Sequence, residues 1–254
     1  MPLFLSPHLD DAALSCGGTM YRLARAGAPV TMLTLMAADP PDPPPDTPVV
    51  RALHTRWSLG EQPSAARRRE DVRAAAVLGA RARYAGLRDC IYRAGPDGAA
   101  LYPNGDSLWG RVHPADPAPA ALRALALPPA QTIYAPLGIG THVDHLIVRD
   151  WALTLARPGV TLVFYTDYPY ARDRAAQALA LAAFAPGALT PQTRPLTSAA
   201  VRARIAAVAS YDSQVGSFWP DRAALERELL RAMLEAGDGA PAERFWVYNG
   251  GPAA

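Results

Sequence analysis

The stretch PLFLSPHLDDAALSCGG, residues 2–18, decides the fold and locates the chemistry of the chain. Its apolar start, Pro2–Ser6, predicts a short buried strand, and residues 11–26 predict a helix. Gly27 follows as the expected cap of that helix. A strand that passes at once into a helix is the first half of a βαβ unit, which favours a parallel sheet.

The same alternation continues along the chain. Further strands are predicted at 30–36, 83–87, 131–137 and 160–166, helices at 64–78, 145–156, 171–184, 198–211 and 221–236, and a last extended piece at 244–248. Crossovers between parallel strands are right-handed. We therefore expect an α/β fold over residues 1–254: a single domain with a doubly wound, mostly parallel, Rossmann-like sheet and helices on both faces.

Three segments interrupt this pattern. A proline-rich loop at 39–50 is excluded from helix and strand interiors because proline lacks the backbone N–H donor. An irregular surface excursion is predicted at 93–119, and a C-terminal helix with an extended tail at 220–254. A loop as long as the first is typically either functional or disordered. This one is a candidate cover for a neighbouring pocket, with a mobile segment as the alternative.

Composition excludes several classes of protein. Half of the residues are apolar and the net charge is +2, which is typical of a globular domain. No basic run with interleaved aromatic residues supports nucleic-acid binding. Cys16 and Cys90 are too far apart for a disulfide framework, and we find neither a signal peptide nor a membrane-spanning run. We expect a cytoplasmic protein without membrane insertion.

The motif Ser6-Pro7-His8-Leu9-Asp10-Asp11 stands where the first strand passes into the first helix. In open parallel sheets ligands bind at the carboxyl ends of strands, so chemistry is expected here. His8 and Asp11 are side-chain types that ligate zinc, and a tight turn brings residues three apart to one side. Asp10 would take a proton from metal-bound water. The structural alternative makes Asp10 or Asp11 a helix cap and His8 a turn residue.

A second junction of the same kind carries GIGTHVDH, residues 138–145, directly after the strand at 131–137. The chain contains five histidines, and three of them, His8, His142 and His145, fall in the two junctions. That clustering favours a metal site. The alternative is that Asp144 caps the following helix and that two histidines are incidental.

Ligation by His8, Asp11 and His145 leaves one coordination position for water, which is typical of a catalytic zinc site. Zinc lowers the pKa of such a water to about 7, and Asp10 would then be the general base. His142, which is left off the metal, would donate to the carbonyl oxygen as it becomes an oxyanion.

Other residues around the predicted metal have less direct roles. Asp144 would orient His142 and favour its protonated form. Zinc is the default for these ligands, although Fe²⁺ or Co²⁺ suits them as well. No GxGxxG stands in the first strand-to-helix turn, so no nucleotide cofactor is predicted. Gly17 and Gly18 lie inside the helix, where they allow close packing.

Two motifs resemble those of a known family. Pro7-His8-Leu9-Asp10-Asp11-Ala12 resembles the PHPDDE signature of the PIG-L/LmbE-like deacetylases, and His142-Val143-Asp144-His145 resembles their HxDH motif. Weaker matches are Arg69-Glu70-Asp71 with Leu78-Gly79, and Tyr211-Asp212-Ser213-Gln214. The resemblance runs from the first strand to about residue 219.

The resemblance implies a zinc-binding, Rossmann-like fold that hydrolyses an N-acetyl group from a glucosamine-containing substrate. It places the metal on His8, Asp11 and His145 and the general base on Asp10, which agrees with the residue chemistry. Ala12 departs from the signature and removes a carboxylate that would hydrogen-bond near the metal.

Substrate contacts are less specific. Arg69 is a candidate for a phosphate or carboxylate and Asp89 for sugar hydroxyls, with solvated surface charges as the alternative. Some family members carry a tyrosine at the position of Gly140, so stabilisation of the transition state is expected to fall on His142 and zinc. Candidates for stacking on a sugar ring, with burial in the core as the alternative, are Trp109, Tyr102 and Tyr168.

The function predicted from the sequence is zinc-dependent deacetylation of an N-acetylglucosamine-type substrate, for example a precursor of a low-molecular-weight thiol. One alternative is an amidase that acts on a thiol-sugar conjugate or another acyl-amine. Another is a non-catalytic sugar-binding protein, against which Asp10 and His142 argue because a binder needs neither. The expected partner is a small amino-sugar, and a homo-oligomer is compatible with the sequence.

Overall fold

Strands and helices alternate along the chain in a computed structural model, which describes residues 1–57 and 63–250. The strands are β1 (Pro2–Ser6), β2 (Thr31–Thr34), β3 (Arg81–Tyr84), β4 (Thr132–Pro136), β5 (Thr161–Tyr165), β6 (Leu189–Pro195) and β7 (Ala242–Tyr248). The helices are α1 (Asp11–Arg25), α2 (Pro48–Trp57), α3 (Pro63–Leu78), α4 (Ala118–Arg123), α5 (Val143–Thr154), α6 (Arg174–Ala182), α7 (Ser198–Val208), α8 (Asp212–Phe218) and α9 (Arg222–Ala236).

The strands form one sheet in the order β3-β2-β1-β4-β5-β7-β6. The first five in this order are parallel, whereas β7 runs antiparallel to both β5 and β6. The chain progresses outward in one direction from β1 to β3 and in the other from β4 to β5. The predicted doubly wound, mostly parallel fold is therefore confirmed, and its switch point lies between β1 and β4.

Side chains that alternate along β1 divide the core between the two faces of the sheet. Leu3 and Leu5 point to one face, where they belong to the same buried cluster as Ile147 and Trp151 of α5. Phe4 points to the other face, into a cluster that α1, α3 and α7 share. Helices thus cover both faces, as predicted.

The proline-rich segment is shorter than predicted. The expected loop at 39–50 ends where α2 begins at Pro48. Proline is well suited to the start of a helix because the first turn needs no N–H donor and the ring already fixes φ near its helical value. The sequence pattern did not predict α2: its first three residues fell in the predicted loop, and no element was predicted for residues 51–57.

Strand β6 was also missed. It contains Pro191 and Pro195 and is largely exposed, so it lacks the buried apolar alternation that predicts a strand. Proline is tolerated there because β6 lies at the edge of the sheet, where one side of the strand needs no hydrogen-bonded partner.

Two of the predicted irregular segments contain regular structure. The excursion at 93–119 holds a short 3₁₀ turn at Asp106–Leu108 and runs into α4. The expected extended tail is not a tail, because β7 is an inner strand between β5 and β6. Residues 251–254 of the predicted segment 220–254 lie outside the described residues.

Among residues 1–57 and 63–250, the structure contains no helix with both the length and the apolar character needed to cross a membrane.

A buried carboxylate ties β7 to helix α1. The helix is interrupted at Cys16, where φ is −143° and ψ is 23°. The freed N–H groups of Gly18 and Thr19 donate to the carboxylate of Glu243 at 2.9 and 2.8 Å. Glu243 also pairs with the buried Arg204 at 3.2 Å. A Cβ on Gly18 would lie 2.7 Å from Leu196, so the predicted role of this glycine in close packing is confirmed.

We expect Glu243→Ala to lower the free energy of unfolding by about 3–5 kcal/mol, because it leaves the buried Arg204 charge and two N–H groups without their partner. Glu243→Gln should lose less, since one acceptor oxygen remains. The matched control is Glu235→Ala, whose exposed partner is Arg231, with an expected change below about 0.5 kcal/mol. Urea unfolding measures all three, and equal losses for Glu243→Ala and the control would contradict the prediction.

Candidate active site

The two predicted motifs meet at the switch point of the sheet. Strands β1 and β4 are hydrogen-bonded neighbours with Phe4 opposite Tyr134, and each leads into a helix beyond its carboxyl end. The turn at residues 7–10 and the turn at residues 137–142 therefore lie side by side. This is the crevice in which parallel α/β sheets bind ligands.

The first turn is held by its own side chains. Ser6 Oγ donates to the carbonyl of His8 at 2.7 Å and accepts from the N–H of Ala12 at 3.0 Å. Asp11 Oδ2 accepts from the backbone N–H of His8 at 2.8 Å. Asp10 adopts φ 148°, a sparsely populated conformation, and its carboxylate makes no capping bond to α1. Asp10 thus stands at the N-cap position of α1, but its side chain does not cap the helix.

His8, Asp11 and His145 form a donor set around one oxygen atom. Asp11 Oδ2 lies 3.2 Å from His8 Nδ1 and 3.3 Å from His145 Nε2. Ligands of a tetrahedral zinc with bonds of about 2.0–2.1 Å are about 3.3–3.4 Å apart. His145 Nε2 is buried and has no hydrogen-bond partner among the described residues. Spacing and the orphaned nitrogen both fit a divalent metal.

In both histidines of the set, the ring nitrogen that does not face Asp11 contacts a carboxylate. His145 Nδ1 lies 2.7 Å from Asp167, which is fixed in turn by the N–H groups of Gly138 and Ile139. His8 Nε2 lies 2.9 Å from Asp144. A carboxylate in this position fixes the tautomer and leaves the opposite nitrogen free to ligate, as is typical of histidine metal ligands.

The contacts of Asp144 correct its predicted role. Its carboxylate accepts from the N–H of Cys90 at 3.1 Å and pairs with the buried Arg93 at 2.5 Å, besides contacting His8. The bond to His142 runs instead from the Asp144 backbone N–H to His142 Nδ1, at 3.3 Å. His142 thus caps α5, and the interpretation of Asp144 as the cap is wrong.

His142 is neutral rather than protonated as predicted. Burial, helped by the neighbouring His8, lowers the pKa of His142 to about 3. Because Nδ1 accepts the bond from Asp144, the remaining proton is on Nε2. Cys90 Sγ lies 4.0 Å from that nitrogen. His142 is therefore a hydrogen-bond donor through Nε2, without a positive charge.

Asp10 has the properties of a general base. Burial and the adjacent Asp11 carboxylate raise the pKa of Asp10 to about 7. The guanidinium of Arg67 lies 3.8 Å from Asp10, donates to the carbonyl of Leu9 at 3.2 Å and stacks over Trp57. A carboxylate with a pKa near neutrality can both accept and return a proton at physiological pH.

These groups line a cavity of about 300 Å³. Its polar lining includes His8, Asp10, Asp11, Arg67, Asp89 and His142, and its apolar lining includes Leu53, Trp57, Leu108, Trp109, Tyr170 and Phe218. The cavity is of a size that fits a sugar.

Only one of the two predicted substrate-binding residues lines the cavity. Asp89 lines it, with Oδ2 3.9 Å from His8 Nε2. Arg69 is exposed and does not line it, so that prediction is wrong. Arg67 stands there instead, because two residues along a helix turn the side chain by about 200°.

Of the three aromatic residues predicted as candidates for stacking on a sugar, only one lines the cavity. Tyr102 and Tyr168 are buried outside the cavity lining, whereas Trp109 lines the cavity. The loop residues 39–47 do not line it either. Pro41 and the prolines at 43–45 lie instead against a separate hollow with Leu87 and Tyr92. The idea that this loop covers the site is therefore wrong for the structure described.

Sequence reasoning missed several residues of the site. Asp167 follows β5, a third strand end at the same edge of the sheet, and that position was the signal that could have found it. Tyr170 occupies the space next to Gly140, where an added Cβ would lie 3.0 Å from its ring. Nothing in the local sequence pattern points to Arg93 or Cys90, because their contacts span the fold.

The two segments that resemble the family less closely, residues 69–71 and 211–214, contact each other. Glu70 accepts from the backbone N–H of Ser213 at 2.9 Å and from its hydroxyl at 2.6 Å. Asp71 accepts from the hydroxyl of Tyr211 at 2.7 Å. These bonds join α3 to the start of α8, which forms one wall of the cavity.

We expect Asp167→Asn to weaken metal binding about 10–100-fold, because the carboxylate that fixes His145 is lost. Asp150→Asn, on the exposed side of the helix α5 that carries His145, is the matched control. Competition with a chromophoric chelator measures the affinity of each protein. Equal affinities for the two variants would show that Asp167 does not support a metal ligand.

Comparison with known proteins places the chain in a family. The model of the family "PIG-L: GlcNAc-PI de-N-acetylase" matches residues 3–156. The 2'-N-acetylparomamine deacetylase of Streptomyces fradiae is 31% identical over 184 residues, which cover 68% of this chain but only 58% of that protein.

Solved deacetylase structures align with nearly the whole length of this chain. A zinc-inhibited form of teicoplanin deacetylase aligns with a TM-score of 0.74 at 25% identity and covers 97% of both chains. The A40926 pseudoaglycone deacetylase aligns with a TM-score of 0.73 at 27% identity and covers 100% of this chain and 98% of that one. As the motifs PHLDDA and HVDH predicted, the chain belongs to the PIG-L family.

Proposed function

We propose that the protein is a metal-dependent hydrolase that removes the N-acetyl group from an amino-sugar of the N-acetylglucosamine type. The observation that carries this proposal is the arrangement of Asp10 and His142, a base and a neutral donor, around the donor set of His8, Asp11 and His145. The names of the relatives, which are deacetylases of N-acetylparomamine and of teicoplanin, support the choice of reaction.

The metal is proposed from the donor chemistry. Two imidazoles and one carboxylate suit zinc, and Fe²⁺ or Co²⁺ suits the same residues. A divalent cation held there would polarise the amide carbonyl and lower the pKa of the attacking water. Because one solved relative is a zinc-inhibited form, metal replacement is the experiment that identifies the activating metal.

The chain's own residues carry the proton transfers. Asp10 takes a proton from the attacking water, for which its raised pKa suits it, and returns it to the amine that leaves. His142 donates from Nε2 to the carbonyl oxygen as negative charge develops there. Asp144 and Asp167 hold His8 and His145 in place throughout. The released products are acetate and the free amino-sugar.

We expect Asp10→Asn to retain the metal and to lower kcat by about 10²–10⁴-fold, because an amide cannot accept the proton from water. Asp150→Asn, on the surface of α5, should match the parent enzyme. Acetate release from N-acetylglucosamine derivatives measures turnover, and elemental analysis measures the metal. An Asp10→Asn variant as active as the parent on every substrate hydrolysed would show that the mechanism is wrong.

Removal of the metal with a chelator should abolish acetate release, and added Zn²⁺, Fe²⁺ or Co²⁺ should restore it to different extents. A graded titration of zinc then separates activation from inhibition. Elemental analysis of the purified protein identifies the metal it carries from the cell. Full activity of the metal-free protein would contradict the proposal.

A further inference from the structure

The cavity contains a phenol hydroxyl that takes no part in the proton transfers of Asp10 and His142. It belongs to Tyr170, a half-buried residue that lines the cavity together with these two side chains. Within the described part of the chain, this hydroxyl makes no hydrogen bond to a protein group. Polar groups inside proteins are usually satisfied by a partner, so a cavity hydroxyl without one is available to a ligand.

The ring of Tyr170 is held by three neighbours. Its centroid lies 5.6 Å from the ring centroid of Trp109 and 5.6 Å from that of His145, and both contacts are edge-on. The third neighbour is Gly140, at φ 83°, where an added Cβ would lie 3.0 Å from the ring. A side chain at position 140 would therefore displace the ring, and the glycine leaves the space that Tyr170 fills.

The backbone that carries Tyr170 is fixed as well. Tyr170 begins a short 3₁₀ turn that ends at Arg172. The N–H of Ala171 donates to the backbone carbonyl of Asp167 at 2.8 Å, and the carboxylate of the same Asp167 contacts His145. One segment after β5 thus supports a predicted metal ligand and presents the phenol. A donor that is held in place before the substrate binds needs no reorganisation during the reaction.

Tyr170 and His142 lie on the same side of the metal-binding set. The two rings that contact Tyr170 also contact His142: Trp109 at 5.1 Å and His145 at 5.5 Å between ring centroids. Burial, and after it the charge of Asp11, raises the pKa of Tyr170, which indicates that the hydroxyl lies near that carboxylate. The phenol and the imidazole are therefore placed to approach one oxygen atom of a bound amide.

We propose that the hydroxyl of Tyr170 donates a hydrogen bond to the amide carbonyl oxygen, beside the bond from His142 Nε2, as negative charge develops on that oxygen. The inference rests on the proposed function of the same cavity. The proton stays on the tyrosine oxygen throughout, because a phenol with an ordinary pKa of about 10 is not ionised at neutral pH. The catalytic groups then come from three strand ends, those of β1, β4 and β5.

The test is Tyr170→Phe, which removes the hydroxyl and keeps the ring that packs against Trp109 and His145. We expect kcat for acetate release from the best N-acetylglucosamine derivative to fall about 10–100-fold, with KM changed less than about twofold. The loss of a single oxyanion donor can reach about 10³-fold, but here His142 still donates. Tyr168→Phe is the matched control, since Tyr168 lies outside the cavity lining, and it should match the parent enzyme.

A binding measurement tests the hydroxyl without turnover. In the methylphosphonamidate of glucosamine, a tetrahedral phosphorus with charged oxygens replaces the planar amide and imitates the developing oxyanion. Calorimetry on the metal-loaded proteins should give a Kd for this compound about tenfold weaker in Tyr170→Phe than in the parent. The Kd of glucosamine, which carries no such oxygen, and the affinity for the metal should stay the same. A loss of packing would weaken all three.

The outcomes that overturn the inference differ from those that overturn the proposed function. Acetate release by Tyr170→Phe with the kcat of the parent would leave the proposed function intact and remove Tyr170 from the reaction. A raised KM with an unchanged kcat would assign the hydroxyl to the sugar instead. If the parent released no acetate, the proposed function would fail. Equal Kd values of the phosphonamidate for parent and variant would then exclude the second donor too, whereas a weaker Kd in the variant would still support it.

Discussion

Asp11 Oδ2 lies between two imidazole nitrogens, and this shared contact joins the two halves of the site. His8 approaches it from the end of β1 and His145 from the start of α5, after β4. The contact requires β1 and β4 to be neighbours with their carboxyl ends at the same edge, which is what the switch in strand order provides. Asp144, which contacts His8, lies on α5 after β4, and Asp167, which contacts His145, comes from the end of the next strand, β5.

Asp10 and Asp11 show how one turn produces two different carboxylates. Burial would raise the pKa of both, but His145 and His8 outweigh it at Asp11 and hold the pKa of that carboxyl well below its usual range. At Asp10 burial and the Asp11 charge prevail, and the pKa rises. Neighbouring groups whose pKa values are pushed apart in this way can divide the roles of ligand and base.

The sequence predicted β1 with the bounds that the structure shows, and it predicted the motifs that meet beyond β1 and β4. These predictions succeed because strand ends in a parallel sheet share an edge, so adjacency in space follows from the pattern of elements. Arg67 and Asp167 were not predicted. The first depends on which face of α3 turns inward, and the second on which of several strand ends contributes a carboxylate.

The sequence pattern did not predict strand β6, for a different reason. Its two prolines and its exposure exclude the apolar alternation on which strand prediction depends. It is held by pairing with β7, a strand that comes much later in the sequence. Local patterns record burial and backbone preference, whereas an edge strand of this kind is specified by its distant partner.

That pairing has a consequence for how the chain acquires its structure during synthesis. Within the described residues β6 joins the sheet only through β7, and the ribosome makes β6 before α7, α8, α9 and β7. Until β7 emerges, the free edge of β5 has no neighbour, and an unpaired edge is a template for aggregation. Completion of the sheet therefore waits until β7 has been synthesised. A stalled nascent chain that ends before β7 would present that open edge to chaperones.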